Sequence, residues 1–184
     1  CIRDSYKGIF TILSSCAARQ LEEVTFRRNT IPVQELFDAA GKYFRKVMKN
    51  RTEKVELIIE PMEAKVIGDV NQLRFLFENL IDEALAVREE GVIRLQARKD
   101  NEYIRFLFTD TRREKSVTEL NQLFYPNLAR MTSGKKGELR GTEYLICKQI
   151  IRDHDEFAGR RGCRINAEPA EGGGFTVYFT IPRR

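Results

Sequence analysis

The stretch that decides the fold is Asp69–Val87, which reads DVNQLRFLFENLIDEALAV. Its apolar residues recur at alternating intervals of three and one, a spacing that places them along one stripe of an α-helix. These residues are Leu73, Leu76, Phe77, Leu80, Ile81, Ala84 and Leu85. Asp69 is a typical N-cap residue, and Gln72 lies three positions later, where the partner of a capping box is found. The sequence therefore predicts a capped amphipathic helix that begins just after Asp69.

The opposite side of this helix is rich in side-chain oxygens, carried by Glu78, Asn79, Asp82 and Glu83. On its own, such a run is typical of a solvated acidic face. The motifs that follow along the chain give Asn79 and Glu83 a second interpretation, as residues of a binding site.

Length and composition indicate one compact domain with an added helical element, in a chain of 184 residues. A hydrophobic share of 42% is sufficient for a core, whereas a charged share of 32% argues against a membrane span, so no membrane contact is expected. The chain begins at Cys1 without an initiator Met and without a signal peptide. We therefore expect a cytoplasmic segment of a longer protein, and a membrane-linked sensor is one option for that protein.

Basic residues outnumber acidic ones by 32 to 27, but they are scattered along the chain. The densest basic cluster is Arg160, Arg161 and Arg164, and it has no interleaved aromatic residues. A solvated loop is the favoured interpretation of this cluster, and a loop that binds phosphate or a partner is the alternative. Nucleic acid is not expected as a partner.

The cysteines and the single histidine do not form a metal motif. The four cysteines contain no CxxC pair, so they are expected to be reduced thiols rather than zinc ligands. His154 is expected to be a helix-end residue with satisfied hydrogen bonds, not a ligand or a catalyst.

The remaining patterns place further elements on both sides of the deciding helix. Amphipathic helices are predicted at Tyr6–Phe26 and from Val33 to about Lys49, and the polar residues RRNT between them read as a break. Strands are predicted at VELIIE, Lys65–Ile67, GVIRLQARK and EYIRFLFTD, the last two joined by a turn at Asp100-Asn101. A long polar stretch, Thr111–Gly141, is predicted to be a lid or loop, and a helix and a final hairpin close the chain. Helices on one face of a mixed sheet make a two-layer α/β sandwich.

This order of elements and motifs resembles the ATP-binding domain of sensor histidine kinases, which have the Bergerat fold of the GHKL superfamily. The similarity covers residues 31 to 182 and rests on five motifs in the family's order. GDVNQLRFLFENLIDEAL is similar to the asparagine box, FTDT to the strand end of the first glycine box, and LNQLFYP to the phenylalanine box of the lid. YLICKQIIRDH is similar to the helix after the second glycine box, and GGGFTVYFTIP to the terminal strand.

The resemblance implies a site for ATP and Mg²⁺. Asn79 and Glu83 would flank the triphosphate, and Glu83 replaces the family's second asparagine, whose oxygen binds Mg²⁺. A carboxylate is also a hard oxygen ligand, so Glu83 is the candidate metal ligand if Mg²⁺ binds. Asp110 matches the aspartate that accepts a hydrogen bond from the adenine amino group, and Thr111 follows it as in the family.

The sequence departs from the family at the glycines. Arg112 stands where a glycine should follow Thr111, and in the second glycine box, LRGTEYL, only Gly141 remains. Those glycines allow the backbone to approach the nucleotide closely. We expect Arg112 or Arg140 to fold back onto Glu83 or Asp110 and to fill the pocket with an ion pair, because a charge in a cleft requires a partner.

These departures predict a degenerate, pseudokinase-like module of a bacterial two-component signalling protein. It would act by protein interaction and conformational coupling, with nucleotide binding weak or lost, and its first helix lacks the histidine that accepts phosphate in the family. The alternative is an active, divergent GHKL ATPase or histidine kinase that uses Glu83 for Mg²⁺ and Asp110 for adenine.

The expected domains are a helical extension at 1–30 and the kinase-like ATPase domain at 31–184. The first helix is either the remnant of a dimerisation helix, which would pair with a second copy, or a cover for the domain's own open face. A response regulator or a transcription factor is the other expected partner.

Overall fold

A computed structural model describes residues 26–126 and 142–184. The predicted first helix, apart from Phe26, and the predicted site residues Arg140 and Gly141 lie outside the described residues. The first elements along the chain are β1 (Asn29–Pro32), α1 (Val33–Met48), β2 (Val55–Ile59), β3 (Lys65–Gly68), α2 (Val70–Leu85) and β4 (Gly91–Asp100). They are followed by β5 (Tyr103–Asp110), α3 (Val117–Gln122), α4 (Glu143–Phe157), β6 (Ile165–Pro169) and β7 (Phe175–Pro182).

The main sheet has five strands in the order β2-β4-β5-β7-β6. β2 runs parallel to β4, and the other neighbours are antiparallel, so the sheet is mixed. β1 and β3 form a separate antiparallel pair, which a bridge between Val66 and Arg183 joins to the end of β7. Over the sheet, α2 lies between α1 and α4 and packs against both. The predicted two-layer α/β sandwich is confirmed.

The core lies between the sheet and α2. All seven apolar residues of the predicted stripe are buried, with at most 4% of their surface exposed. Four phenylalanine rings from both layers meet at its centre, at centroid distances of 4.9 to 6.3 Å. They are Phe37 of α1, Phe77 of α2, Phe106 of β5 and Phe179 of β7. Aromatic contacts of this kind add to the free energy gained by burial, and they fix α2 on the sheet.

The N-terminus of α2 is capped as predicted, but not by a capping box. The Asp69 carboxylate accepts hydrogen bonds from the N–H groups of Asn71 and Gln72, at 3.0 and 3.2 Å. The Gln72 side chain does not return a bond, because the N–H of Asp69 instead donates to Nε2 of His154 at 3.1 Å. The box prediction was wrong because a residue of α4, distant in sequence, holds that N–H.

Three other local predictions differ from the structure. The segment RRNT is not only a break, because β1 pairs there with β3, and its one buried side chain, Ile31, leaves no alternating pattern to detect. The hairpin turn lies one residue later, at Asn101-Glu102, where Asn101 has a φ of 54°. Within the predicted lid, α3 is a short helix with a Ser116–Glu119 capping box.

No helix of the described residues meets the length and apolarity needed to cross a membrane.

Candidate functional site

Asp110 lies at the end of β5, in the middle of the sheet, and only 1% of its surface is exposed. Its carboxylate accepts three hydrogen bonds from one residue, Arg112. The Arg112 backbone N–H and Nε reach Oδ1 at 3.0 and 2.9 Å, and Nη2 reaches Oδ2 at 3.0 Å. The Arg112 side chain has no exposed surface. Both oxygens of Asp110 are therefore engaged by a buried guanidinium group.

The same guanidinium group also holds the connection between α2 and β4. Its Nη2 donates to the carbonyl of Ala84 at 2.6 Å, and its Nη1 donates to the carbonyl of Glu89 at 2.9 Å and more weakly to that of Val87 at 3.4 Å. Carbonyl groups in the last turn of a helix lack partners within the helix, and a cation there is favourable. The predicted fold-back of an arginine onto Asp110 is confirmed for Arg112.

Two glycines make room for this arrangement. Gly91 has a φ of 142°, and a Cβ atom added there would lie 2.8 Å from Cγ of Arg112. Gly174 has a φ of 83°, and an added Cβ would overlap the carbonyl oxygen of Asp110. The sequence indicated a turn at Gly174 but not its contact with β5, because that contact joins segments distant in the chain.

Thr111 is fixed to the neighbouring strand rather than turned toward a pocket. Its N–H and its hydroxyl group both donate to the carbonyl of Val92, at 3.1 and 2.7 Å. The hydroxyl proton of Thr111 is therefore already used within the sheet.

Asn79 and Glu83 lie one turn apart on α2, as predicted. Asn79 is 5% exposed, and its Nδ2 donates to the carbonyl of Phe75 at 2.8 Å. Glu83 is half-buried and faces Cys147 of α4. Burial raises the pKa of Cys147, and the negative charges of Glu143 and Glu83 raise it further. Among the described residues, no three His, Cys, Asp or Glu side chains converge as a metal site.

The surface around Glu83 is acidic. The Tyr43 hydroxyl donates to the Asp82 carboxylate at 2.6 Å. Burial and the charge of Glu143 raise the pKa of Asp82, although the Tyr43 hydrogen bond acts in the opposite direction. Burial and hydrogen bonding to Asp82 likewise raise the pKa of Tyr43. Negative charge is therefore concentrated between α2 and the start of α4.

The described part of the predicted lid is attached to α4. Phe124 of the phenylalanine box is 6% exposed, and its ring lies 5.6 Å from that of Tyr144. Lys148 Nζ donates to the Phe124 carbonyl at 3.4 Å and lies 4.2 Å from the ring of Tyr125. Burial, followed by the charge of Arg152, lowers the pKa of Lys148. The first half of the lid is thus packed on α4.

His154 has the structural role expected of it. It is fully buried, its Nε2 accepts from the Asp69 N–H, and its Nδ1 bonds with the carbonyl of Ile150 at 2.8 Å. Burial lowers its pKa to about 4. A neutral imidazole therefore joins the end of α4 to the cap of α2.

Comparison with known proteins identifies relatives of this chain. Residues 68–184 match the model of a family described as histidine kinase-, DNA gyrase B-, and HSP90-like ATPase. The signal transduction histidine-protein kinase BaeS of Escherichia coli (strain K12) is 24% identical over 163 residues, which cover 86% of this chain and 33% of BaeS. The chain thus spans about a third of the length of this curated relative.

Solved structures share the fold at low sequence identity. The mycobacterial sensor histidine kinase MprB matches with a TM-score of 0.64 and 18% identity, over 86% of this chain and 99% of that structure. Acinetobacter baumannii AdeS matches with a TM-score of 0.66 and 12% identity, over 96% and 77%. Histidine kinase ThkA in complex with response regulator protein TrrA matches with a TM-score of 0.64 and 17% identity, over 97% and 49%. At these identities the matches show the fold alone.

Proposed function

Because the chain belongs to the histidine kinase-, DNA gyrase B-, and HSP90-like ATPase family, we propose that it is a degenerate histidine-kinase-like ATP-binding domain of a bacterial two-component-type signalling protein. Nucleotide binding is weak or lost, and the domain acts by protein interaction and conformational coupling. Residues 31–184 form this domain and residues 1–30 a helical extension, in the cytoplasmic part of a larger protein.

The buried Arg112–Asp110 pair is the observation that carries this proposal. An adenine amino group would have to donate to Asp110, whose two oxygens already accept from Arg112. Entry of the base would also have to displace a side chain that has no exposed surface and that holds the carbonyls of Ala84 and Glu89. Separating a buried ion pair is costly unless the newcomer replaces every lost bond. The residues at this position therefore do not fit an adenine ring.

The charges near Glu83 oppose a triphosphate in the same way. Asp82, Glu83 and Glu143 contribute negative charge where phosphate would bind, and like charges repel more strongly at a half-buried surface than in water. Mg²⁺ would have to rest on Glu83 together with the phosphates, since the described residues offer no larger ligand cluster. The electrostatics therefore support weak or absent binding.

Protein partners follow from the same proposal. ThkA has been solved in complex with response regulator protein TrrA, and a response regulator is accordingly one candidate partner here. A transcription factor and a second copy paired through the N-terminal helix are the others. In each case the fixed Arg112 would keep the domain in one conformation without nucleotide.

The alternative is an active ATPase or histidine kinase that binds Mg²⁺ through Glu83 and adenine through Asp110. The placement of Asn79 and Glu83 one turn apart on α2 favours it, because the family's phosphate-binding residues have this spacing. In this alternative, Arg112 would leave Asp110 when nucleotide enters.

Calorimetric titration with ATP and ADP, with and without Mg²⁺, separates the two. We expect no heat of binding for the wild-type domain at millimolar nucleotide, and a measurable affinity in Arg112→Gly, which frees Asp110 and restores the family's glycine. Arg94→Gly is the matched control, because Arg94 is exposed on the sheet. Wild-type binding that Asp110→Ala abolishes would refute the proposal and favour the ATPase.

A further inference from the structure

A second cleft lies at the opposite end of the sheet from Asp110. The β4–β5 hairpin and the loop that precedes β6 enclose a groove of about 470 Å³, here called the arginine groove, which is lined by Arg105, Arg164, Tyr103 and Tyr178 among others. Since β5 runs from Tyr103 to Asp110, Tyr103 at one end of the groove lies about 23 Å from Asp110 at the rise of a β-strand. It is therefore separate from the pocket that Arg112 fills, and what it binds does not depend on the nucleotide result.

The loop on one side of the arginine groove is rigidly held. The Asp155 carboxylate accepts from the N–H groups of Gly162 and Cys163, at 2.7 and 3.1 Å, and from Nη1 of Arg161 at 3.2 Å. Burial alone would raise the pKa of Asp155, but these bonds outweigh burial and lower it. The simple solvated loop that the sequence favoured would not require so many fixed contacts.

Residues of the sheet also form hydrogen bonds with this loop. The Tyr103 hydroxyl donates to the Arg161 carbonyl, and Gly162, with a φ of 119°, leaves room for it: a Cβ there would lie 2.5 Å from that hydroxyl. Thr180 Oγ1 accepts from the Arg164 N–H and donates to the Gly162 carbonyl, both at 3.0 Å. The backbone of the loop is thus held in place, which reduces the backbone entropy lost on binding.

Hydrogen-bond donors remain available in the groove, whereas its carboxylates are engaged. Among the residues the structure describes, the exposed Arg164 guanidinium has no ion-pair or hydrogen-bond partner. Arg105 lies 5.2 Å from the Tyr178 ring and bonds to Asp100 at 3.1 Å, so it contributes positive charge to the groove rather than a free donor. Glu102 is paired with Arg160 at 3.5 Å. Within the described residues, the Arg164 guanidinium group therefore lacks an acceptor.

We propose that the arginine groove binds a carboxylate or phosphate side chain on an acidic segment of a protein partner. A guanidinium group recognises either anion through paired N–H donors, which Arg164 supplies here beside the positive charge of Arg105. The rings of Tyr103 and Tyr178 offer an apolar surface to the backbone beside the anion. Asp100 and Glu102 flank the arginines in the groove, so it suits one localised anion better than the continuous row of phosphates of a nucleic-acid strand.

The test uses three fluorescein-labelled octapeptides that differ only at the centre, where they carry two glutamates, two phosphoserines or two glutamines. Their binding to the full chain is measured by fluorescence anisotropy in 0.15 M salt, and the site is mapped by backbone amide NMR shifts. A labelled twelve-nucleotide oligo(dT) is titrated in parallel. We expect at least one acidic peptide to bind and the glutamine peptide not to, with shifts at Gly162 and Arg164. The preferred acidic peptide distinguishes a carboxylate from a phosphate ligand.

Two matched variants decide whether the groove is the site. Arg164→Gln should weaken the acidic peptide about tenfold, the effect of one charge-assisted hydrogen bond. Arg94→Gln, an exposed arginine on the same face of the sheet but outside the groove, should leave affinity unchanged. Absence of binding by both acidic peptides at 1 mM, equal losses in the two variants, or tighter binding of oligo(dT) at the groove would each overturn the proposal.

Discussion

Replacing Arg112 with alanine removes a side chain that bonds to both oxygens of Asp110. The Asp110 side chain is 2% exposed in the wild-type structure. In the variant, its carboxylate keeps the N–H of residue 112 as a donor but loses the guanidinium group that balances its charge. Removing one partner of a buried ion pair typically costs about 3 to 5 kcal/mol. The carbonyls of Ala84 and Glu89 lose a donor as well. We therefore expect a loss at the upper part of that range.

Urea denaturation followed by circular dichroism measures this loss. In a thermal melt of a domain of this size, a loss of about 3 to 5 kcal/mol corresponds to a fall in melting temperature of roughly 6 to 20 °C. Arg98→Ala is the control, because its ion pair with Glu60 is about half exposed, with 52% and 49% of the two side chains accessible. Solvent screens such a pair, and we expect a much smaller change.

A double variant tests the physical cause. If the unpaired carboxylate is responsible, Asp110→Asn combined with Arg112→Ala should be more stable than Arg112→Ala alone, since the amide carries no charge to be left without a partner. This non-additivity is expected only for residues in direct contact. A loss in Arg112→Ala no larger than in Arg98→Ala, or no recovery in the double variant, would refute the view that Arg112 and Asp110 form a structural pair.

Three further variants or conditions test other parts of the fold. Between pH 6.5 and 4, His154 should lower the free energy of unfolding by about 3 kcal/mol, because burial lowers its pKa to about 4 and only the unfolded chain takes up the proton; His154→Gln should reduce the pH dependence by this amount, and an unchanged slope would contradict the assignment. Gly174→Ala should cost at least about 2 kcal/mol in urea denaturation, because its Cβ would overlap the Asp110 carbonyl, and more than Gly172→Ala, where no atom lies within 4 Å; equal losses would contradict this. Cys147, whose pKa is raised mainly by burial, should react with a thiol reagent at pH 8 only after denaturation, as peptide mapping would show, and labelling in the folded protein would contradict its burial.

The parts of the fold that could be predicted from sequence are those with a local pattern. The stripe of α2 and the alternation in β4 and β5 are properties of neighbouring residues, and each was found in the predicted place. β1 could not be found in this way, because only Ile31 of its four residues is buried and its partner strand lies more than thirty residues away. The capping box at Asp69 failed for the same reason, since His154 of α4 takes the place of Gln72.

The same distinction applies to the candidate site, where contacts between sequence neighbours could be predicted and contacts between distant segments could not. The Arg112–Asp110 pair could be expected because the two residues are two positions apart and a buried charge requires a partner. The acceptors that complete the arrangement, the carbonyls of Ala84 and Glu89, are backbone atoms, and no side-chain pattern marks them. The contacts that order the loop beside the arginine groove could not be predicted either, because Asp155, Tyr103 and Thr180 come from three different elements.

This arrangement changes what the presence of Asp110 implies. In the resemblance to sensor histidine kinases, an aspartate at this position indicates adenine binding. In this chain, however, Asp110 balances the charge of Arg112, and Arg112 in turn fixes the connection after α2. We therefore expect Asp110 to stabilise the fold whether or not nucleotide binds, and its presence alone does not favour the ATPase alternative. Binding by Arg112→Gly but not by the wild-type domain would show that the aspartate is still able to accept adenine and that the arginine alone prevents it.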